Sequence, residues 1–284
     1  MNPAEDLSGG QGPPGGATGL HVVVRPGDPS RVPLLLMNGI GARLEALQPF
    51  LDALDPAIPV IRFDAPGIGG SPLPTRPYRF RSLCRALARL LDELGHPCVD
   101  VLGISWGGGL AQQFAFSQRR RCRRLVLVAT ATGSVMVPAG PRVLRRMITP
   151  RRYFDTGYLR RVAHQLYGGS ARANPEVVER LLHQRRHPGE ARGYAYQLLA
   201  GAGWTSLPFL PLLTQPTLIL AGDDDPIIPL ANSHVLHALI PKAERHIYRG
   251  GHLELVCDPA RLVPAIEAFL GGDRPRHPRR AERS

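Results

Sequence analysis

Short apolar runs alternate with longer stretches of helical periodicity through most of this 284-residue chain, a pattern that few folds accommodate. The apolar runs have the length of strands buried on both faces of a sheet. They lie at residues 32–37, 60–63, 98–102, 125–129 and 217–221, with a shorter run at 246–248. The helical stretches lie at residues 80–94, 107–116, 230–240 and 262–270. The sequence therefore predicts an α/β fold with a mostly parallel sheet flanked by helices.

One interval interrupts this alternation. About 85 residues, from Thr130 to Gln215, separate two consecutive predicted strands, whereas a whole strand–helix–strand unit needs only about 30. Because helical patterns recur within it at 143–148, 175–187 and 191–199, we expect a helical cap over the carboxyl edge of the sheet. The expected parts of the chain are a flexible tail at 1–19, a core at 20–133 and 213–272, a cap at 134–212 and a basic tail at 273–284.

Scarce residue types exclude several functional classes. Lys242 is the only lysine and follows no glycine loop, which excludes a P-loop nucleotide site. The four cysteines form no Cys-x-x-Cys pair, so we expect reduced thiols rather than a zinc site or a disulfide scaffold. The glycines within 67–70 do not precede a predicted helix, as the glycines of a dinucleotide-binding motif would, so we expect no dinucleotide site there. We therefore expect neither a cofactor nor a metal.

The net charge of +12 comes from 35 basic and 23 acidic residues. Arginine clusters at 119–124, 145–146, 151–152, 160–161 and 274–283 could bind an anionic partner, but no nucleic-acid-reading motif accompanies them. We interpret them as solvated helix faces and expect no nucleic-acid partner. No basic and apolar leader is present, and no apolar run approaches the roughly 18 residues that span a bilayer. We expect a cytoplasmic protein without a transmembrane segment.

The sequence Gly103-Ile104-Ser105-Trp106-Gly107 matches the Gly-x-Ser-x-Gly pattern of a nucleophile elbow. The apolar run 98–102 leads directly into it, and a helix rich in small residues follows it. This strand–turn–helix context is the one that such an elbow requires, with flanking glycines because a Cβ there would collide with the neighbouring strand and helix. Ser105 is therefore the candidate nucleophile.

A serine hydroxyl is a poor nucleophile at neutral pH and needs a base and an orienting acid. With the nucleophile on an elbow of this kind, the acid and then the histidine are expected later in the chain. The strand at 217–221 is followed by Gly222 and three aspartates, and the usual position three residues after this glycine selects Asp225. Asp223 and Asp224 are then turn residues or support the site indirectly.

The candidate base is His252, which follows the last predicted strand through the turn 249–251 and so lies at the same sheet edge as the serine. His183 and His187 have the i, i+4 spacing of a metal-binding helix, but Gln184 stands where a metalloprotease has glutamate. We interpret both as solvated cap histidines.

Acyl transfer also requires hydrogen-bond donors for the developing oxyanion. The backbone N–H of Trp106 is one candidate, because it directly follows the nucleophile. The loop 38–41, after the strand at 32–37, supplies the second, and Ile40 is the expected donor. Ser105, Asp225, His252, Ile40 and Trp106 thus form the predicted reaction centre.

These motifs resemble those of the α/β-hydrolase superfamily and, within it, the intracellular depolymerases of medium-chain-length polyhydroxyalkanoates. The matching blocks are 36–42, 63–71, 77–80, 103–108, 111–115, 135–138, 150–153, 200–206 and 221–226. The blocks in the cap are the more specific ones, because caps normally vary with the substrate. In the family the catalytic roles fall on the positions of Ser105, Asp225 and His252. A polymer synthase of similar fold would carry cysteine at the elbow, so the serine favours cleavage.

The resemblance implies a serine hydrolase that cleaves ester bonds of a stored polyester to 3-hydroxy acids or oligomers. It implies a polyhydroxyalkanoate granule or polymer as partner, with granule-surface proteins or phospholipid as further candidates, and a cytoplasmic location on storage granules. Asn38, Trp204 and Phe209 are the expected substrate-pocket residues. Two alternatives stay open: an esterase or lactonase for small esters with the same triad, and a granule-binding protein that has lost catalysis.

Overall fold

The computed structural model describes residues 18–149, 151–182 and 189–272. Most of the predicted N-terminal tail, all of the basic tail at 273–284, and the second part of the helix predicted at 175–187 lie outside these ranges. The predicted division into core, cap and tails stays a prediction.

Seven strands form one sheet in the order β1-β3-β2-β4-β5-β6-β7. They are β1 Val22–Arg25, β2 Leu34–Met37, β3 Val60–Phe63, β4 Val99–Ile104, β5 Cys122–Val128, β6 Thr217–Gly222 and β7 Ala243–Tyr248. β1 is antiparallel to β3, and every other neighbouring pair is parallel. All residues of β2, β3, β4 and β6 are buried, as expected for parallel strands covered on both faces. The predicted fold class is confirmed.

Twelve α-helices are present in the described ranges. They are α1 Gln48–Ala53, α2 Phe80–Glu93, α3 Trp106–Ser117, α4 Pro141–Ile148, α5 Arg151–Phe154, α6 Thr156–Tyr167, α7 Gly169–Ala173, α8 Pro175–Leu182, α9 Glu190–Gly201, α10 Ala231–Leu239, α11 Glu254–Cys257 and α12 Val263–Gly271. Alternate residues of each strand face opposite layers. In β2, Leu35 and Met37 pack with α2 and α3, whereas Leu34 and Leu36 pack with α1 and α12.

Strand ends differ from the prediction where charged side chains interrupt an apolar run. β5 begins at Cys122 rather than 125, because Arg123 keeps its place in the strand by pairing with the buried Asp100 (2.5 Å). β7 is an edge strand whose exposed residues include Glu244 and His246. β1, an edge strand whose four residues are all only half-buried, was not predicted from the sequence.

Helices α4–α9 lie between β5 and β6, where the interruption in the sequence pattern is found. Their own apolar cluster includes Leu159, Val162, Leu166 and Tyr194 and also contains Ile227 from the loop after β6. Helix α6 was not predicted from the sequence, although its buried residues follow the i, i+3, i+7 spacing of an amphipathic helix. This insertion packs against the loops that follow β2, β4, β6 and β7, where the candidate site lies.

Candidate active site

Ser105 occupies the turn between β4 and α3 in a conformation that L-residues rarely adopt. Its φ and ψ are 55° and −119°, outside the usual allowed regions. Hydrogen bonds hold the turn on both sides: the Ser105 N–H donates to the carbonyl of Val128 (2.9 Å), and the Thr130 hydroxyl donates to the Ser105 carbonyl (2.7 Å). The surrounding structure therefore stabilises a strained residue whose side chain lies on two cavities.

The glycines that flank Ser105 are required by close packing. A Cβ on Gly107 would lie 2.0 Å from the carbonyl oxygen of Met37 in β2, and a Cβ on Gly103 would lie 2.4 Å from the carbonyl oxygen of Gly107. Both distances are far below van der Waals contact. The prediction that a Cβ at either flanking position would collide with its neighbours is confirmed at Gly103 and at Gly107.

The structure brings Ser105, His252 and Asp225 together from three loops. His252 Nε2 lies 3.0 Å from Ser105 Oγ, and His252 Nδ1 lies 2.8 Å from Asp225 Oδ2. The imidazole and the carboxylate are buried, with 4% and 8% of their residues' surface exposed, while Ser105 is partly exposed. This arrangement allows His252 to accept a proton from the hydroxyl while Asp225 orients its ring.

The carboxylate of Asp225 is held by its own loop. Its Oδ1 accepts hydrogen bonds from the backbone N–H groups of Ile227 and Ile228, both at 2.9 Å. Its Oδ2 is left to face His252. Burial raises the pKa of the adjacent Tyr248 phenol, with the Asp225 carboxylate contributing, so this phenol stays protonated beside the site.

The loop that carries His252 is bound by residues that the sequence analysis did not identify. The His252 N–H donates to the carbonyl of Tyr167 at the end of α6 (2.7 Å). The buried carboxylate of Glu254 accepts from the Gly251 N–H (3.1 Å) and from the Ser170 hydroxyl (2.6 Å). A glutamate two residues after the candidate base was the only signal in the sequence for this support.

Of the two predicted oxyanion donors, Trp106 directly follows Ser105 in the chain, and Ile40 lines a cavity that Ser105 also lines. Trp106 is the first residue of α3, and the N–H groups of a helix's first turn have no acceptor within the helix. Ile40 lies in the loop after β2, which lines the same cavity as Ser105. Asn38 holds that loop: its Nδ2 donates to the carbonyl of Arg43 (2.6 Å), and its Oδ1 accepts from the Gly39 N–H (2.8 Å).

Two cavities meet at Ser105. The first is lined by Asn38, Ile40, Met147, Arg152, Tyr167 and His252, among others. The second is mainly apolar and is lined by Phe80, Trp106, Met136, Leu198, Trp204 and Ile228, among others. Ser105 lines both, so a substrate that fills both cavities would cross the hydroxyl.

The three predicted pocket residues differ in their placement. Asn38 lines the first cavity and Trp204 lines the second. Phe209 lines neither; its ring stacks on Phe116 with centroids 4.5 Å apart and packs against the main apolar core. Its ring is only partly buried and lies 6.1 Å from the ring of Trp204, so the place of Phe209 in the substrate pocket stays a prediction.

Arg152 lines the first cavity and was not identified as a site residue from the sequence. It is 1% exposed, and its guanidinium donates to the Tyr194 hydroxyl (3.0 Å) and the Thr149 carbonyl (3.3 Å). The sequence showed it only as part of an arginine cluster. Its burial shows that this arginine does not belong to a solvated helix face.

Within the described ranges no group of His, Cys, Asp or Glu side chains is arranged to hold a metal ion. None of the helices in the same ranges is long and apolar enough to cross a bilayer. His183 and His187 lie outside the described residues.

Comparisons with known proteins extend this description. The sequence model of the α/β hydrolase fold family matches residues 32–256. The chain is 49% identical over 265 residues to the poly(3-hydroxyalkanoate) depolymerase of Ectopseudomonas oleovorans, covering 92% of this chain and 93% of that protein. It is 28% identical to 3-oxoadipate enol-lactonase 2 of Acinetobacter baylyi, over 86% of this chain and 90% of the lactonase.

Among solved structures, a hydrolase from Pseudomonas aeruginosa superimposes with a TM-score of 0.74 at 26% identity, covering 89% of this chain and 94% of the other. An enol-lactonase from Burkholderia xenovorans, at 22% identity and the same TM-score of 0.74, shares the fold. The resemblance drawn from the sequence motifs is thus confirmed. The chain belongs to the α/β-hydrolase family and, within it, to the family of the poly(3-hydroxyalkanoate) depolymerases.

Proposed function

We propose that this protein is a serine hydrolase that cleaves the ester bonds of intracellular medium-chain-length poly(3-hydroxyalkanoate). The observation that carries the proposal is the contact of Ser105, His252 and Asp225, with 3.0 Å between hydroxyl and imidazole and 2.8 Å between imidazole and carboxylate. The 49% identity to a poly(3-hydroxyalkanoate) depolymerase supports the choice of polymer.

In the first half of the reaction, Ser105 Oγ attacks the ester carbonyl carbon while His252 Nε2 takes the hydroxyl proton. Asp225 keeps the other ring nitrogen protonated and stabilises the imidazolium that forms. The carbonyl oxygen becomes an oxyanion, which accepts hydrogen bonds from the Trp106 and Ile40 N–H groups. His252 then donates its proton to the departing alkoxide, and an acyl-enzyme and a shortened polymer chain with a free hydroxyl result.

In the second half, a water molecule attacks the acyl-enzyme. His252 accepts a proton from the water, and after the tetrahedral intermediate collapses it returns the proton to Ser105 Oγ. The product is a 3-hydroxy acid or an oligomer with a new carboxylate. Each turnover therefore cleaves one ester and consumes one water.

The two cavities at Ser105 support a polymeric substrate with alkyl side chains. The second cavity carries aromatic and aliphatic side chains, including Trp204, Met136 and Ile228, which suit medium-length alkyl groups. A polyester continues on both sides of the scissile bond, so the repeat on each side has a cavity to enter. We further propose that the protein acts in the cytoplasm on storage granules, whose surface proteins or phospholipid are candidate partners.

The test is acid release from purified granules of medium-chain-length polymer. Wild-type protein should release titratable acid continuously, whereas Ser105→Ala should release none above background, because removal of such a nucleophile costs about 10⁶-fold in kcat. Ser117→Ala, at the other end of α3, is the matched control and should behave as wild type. Equal release by wild type and Ser105→Ala would contradict the proposal.

The same proteins separate the two alternatives. Rapid hydrolysis of p-nitrophenyl octanoate with no acid release from granules would indicate a small-ester hydrolase instead. Failure of a fluorophosphonate probe to label Ser105 would indicate a granule-binding protein without catalysis.

A further inference from the structure

Helix α9 carries three residues that all face the loops around Ser105. Glu190, Gly193 and Gln197 are spaced by three and four positions, which places them on one side of the helix. All three are buried. This side of α9 is thus the surface by which the insertion contacts the sheet-edge loops.

The first two residues bring the helix close to the loops after β2 and β3. The Glu190 carboxylate lies 2.7 Å from the Arg43 guanidinium and accepts the Gly69 N–H at 3.1 Å. At Gly193 a Cβ would lie 2.0 Å from the carbonyl oxygen of Gly67, so only glycine allows this approach. The helix and the loops are therefore held at a short, defined distance.

Gln197 contacts the loops of both predicted oxyanion donors. Its side-chain Oε1 accepts the N–H of Gly41, the residue after Ile40, at 2.7 Å. Its backbone carbonyl accepts the indole Nε1–H of Trp106 at 2.8 Å. The residue is 1% exposed and lines the second cavity together with Ser105.

We infer that Gln197 is a positioning residue that sets the geometry of the oxyanion hole from the helical insertion. The inference rests on the proposed function, because the oxyanion forms only if Ser105 attacks an ester. The Ile40 donor lies on the loop that the Gln197 side chain binds through Gly41. The Trp106 donor belongs to the residue whose indole N–H donates to the Gln197 backbone carbonyl. A displacement of about 1 Å at such a site can cost about 100-fold in rate.

The test variant lacks the hydrogen-bond acceptor of the Gln197 side chain but retains the length of that side chain. Gln197→Met has similar length and no amide oxygen, so the hydrogen bond from the Gly41 N–H to α9 is lost, while the ion pair of Arg43 with Glu190 remains. We expect kcat for p-nitrophenyl octanoate to fall about 10- to 100-fold with little change in KM, since the oxyanion is present only in the transition state. Gln197→Glu retains an acceptor oxygen and should recover most of this loss.

A matched control separates positioning from general destabilisation. Gln215 is also buried, and its Nε2 donates to the carbonyl of Ala115 at 2.9 Å, away from both cavities. Gln215→Met makes the same chemical change and should lower thermal stability without lowering kcat. An equal fall of kcat in Gln215→Met and Gln197→Met would overturn the inference.

A second measurement does not depend on activity. Trp106 and Trp204 are the only tryptophans, and the Trp204 indole N–H donates to Gln113 Oε1 (2.9 Å), so it serves as an internal reference. In Gln197→Met, the Trp106 indole N–H resonance should shift and the Gly41 amide should exchange with solvent faster, while the Trp204 resonance stays in place. Unchanged Trp106 and Gly41 signals would overturn the inference even if wild type proved inactive on every ester, an outcome that by itself would reject only the proposed function.

Discussion

Asp223, Asp224 and Asp225 follow one another directly, yet each carboxylate binds a different part of the protein. Asp223 accepts the Gly250 N–H at 3.0 Å, and Asp224 accepts the Gly169 N–H at 2.8 Å. Asp225 alone contacts His252. Residues of one type within one turn therefore have separate roles, because their side chains leave the backbone in different directions.

The first prediction compares two of these aspartates. Asp225→Asn should lower kcat by about 10⁴-fold with stability nearly unchanged, because the amide favours the wrong imidazole tautomer. Asp224→Asn is the matched control; it weakens a half-exposed contact with Arg172 and should cost less than about 1 kcal/mol of unfolding free energy. Steady-state kinetics and thermal melts of both variants measure this, and a larger kcat loss in Asp224→Asn would contradict the assignment of the acid.

At the scale of elements, the first turn of α3 packs directly against β2 and β4 at Gly103 and Gly107. The Gly107 backbone touches the carbonyl of Met37, and Gly103 touches the first turn of α3. The helix therefore begins as close to the sheet as backbone atoms permit. This packing fixes the direction in which the Ser105 side chain leaves the turn.

The second prediction follows from that packing. Gly107→Ala should lower the free energy of unfolding by about 1–3 kcal/mol, since its methyl group would force β2 and α3 apart. Gly271→Ala at the end of α12 is the control, because a Cβ there meets no atom within 4 Å, and alanine in a helix gains up to about 1 kcal/mol over glycine. Urea unfolding measures the free energy of unfolding of both variants. Equal changes in Gly107→Ala and Gly271→Ala would contradict the close packing of Gly107 against β2.

The insertion is also connected to the loops of the base and the acid. Tyr167 at the end of α6 binds the His252 N–H, while Gly169 and Ser170 in α7 bind Asp224 and Glu254. Helix α9 contacts the loops after β2 and β3. The insertion thus supports the candidate site from two directions as well as lining its cavities.

At the scale of the whole molecule, the fold covers the thiols. Cys84 and Cys122 are buried, and Cys98 and Cys257 are partly buried. Burial raises the pKa of the Cys84 and Cys257 thiols to about 12, and it also raises the pKa values of Cys98 and Cys122. A raised thiol pKa lowers the fraction of reactive thiolate at any given pH below it.

The third prediction concerns these thiols. At pH 8 the native protein should react slowly with Ellman's reagent, and protein unfolded in guanidinium should release four equivalents rapidly, matching the four cysteines. Iodoacetamide at the same pH should leave ester hydrolysis unchanged, because the nucleophile is a hydroxyl. Rapid loss of activity on alkylation would indicate a functional cysteine and contradict the serine mechanism.

The sequence alone determined the fold class, the order of the central strands along the chain and the identity of the candidate nucleophile, acid and base. These follow from local patterns: an apolar strand before Ser105, the position three residues after Gly222, and a short turn before His252. The place of Phe209 in the substrate pocket stays a prediction, because aromatic character alone does not show which way a ring points.

Tertiary structure decided how the centre is supported. Gly41 and Gln197 are 156 positions apart in the sequence, and Ser170 and Glu254 are 84 apart. No local pattern encodes such a pairing, since each partner is compatible with many neighbours until the insertion packs onto the sheet edge. Only that packing determined that Gln197 binds the loop after β2 and that Ser170 and Glu254 support the loop of His252.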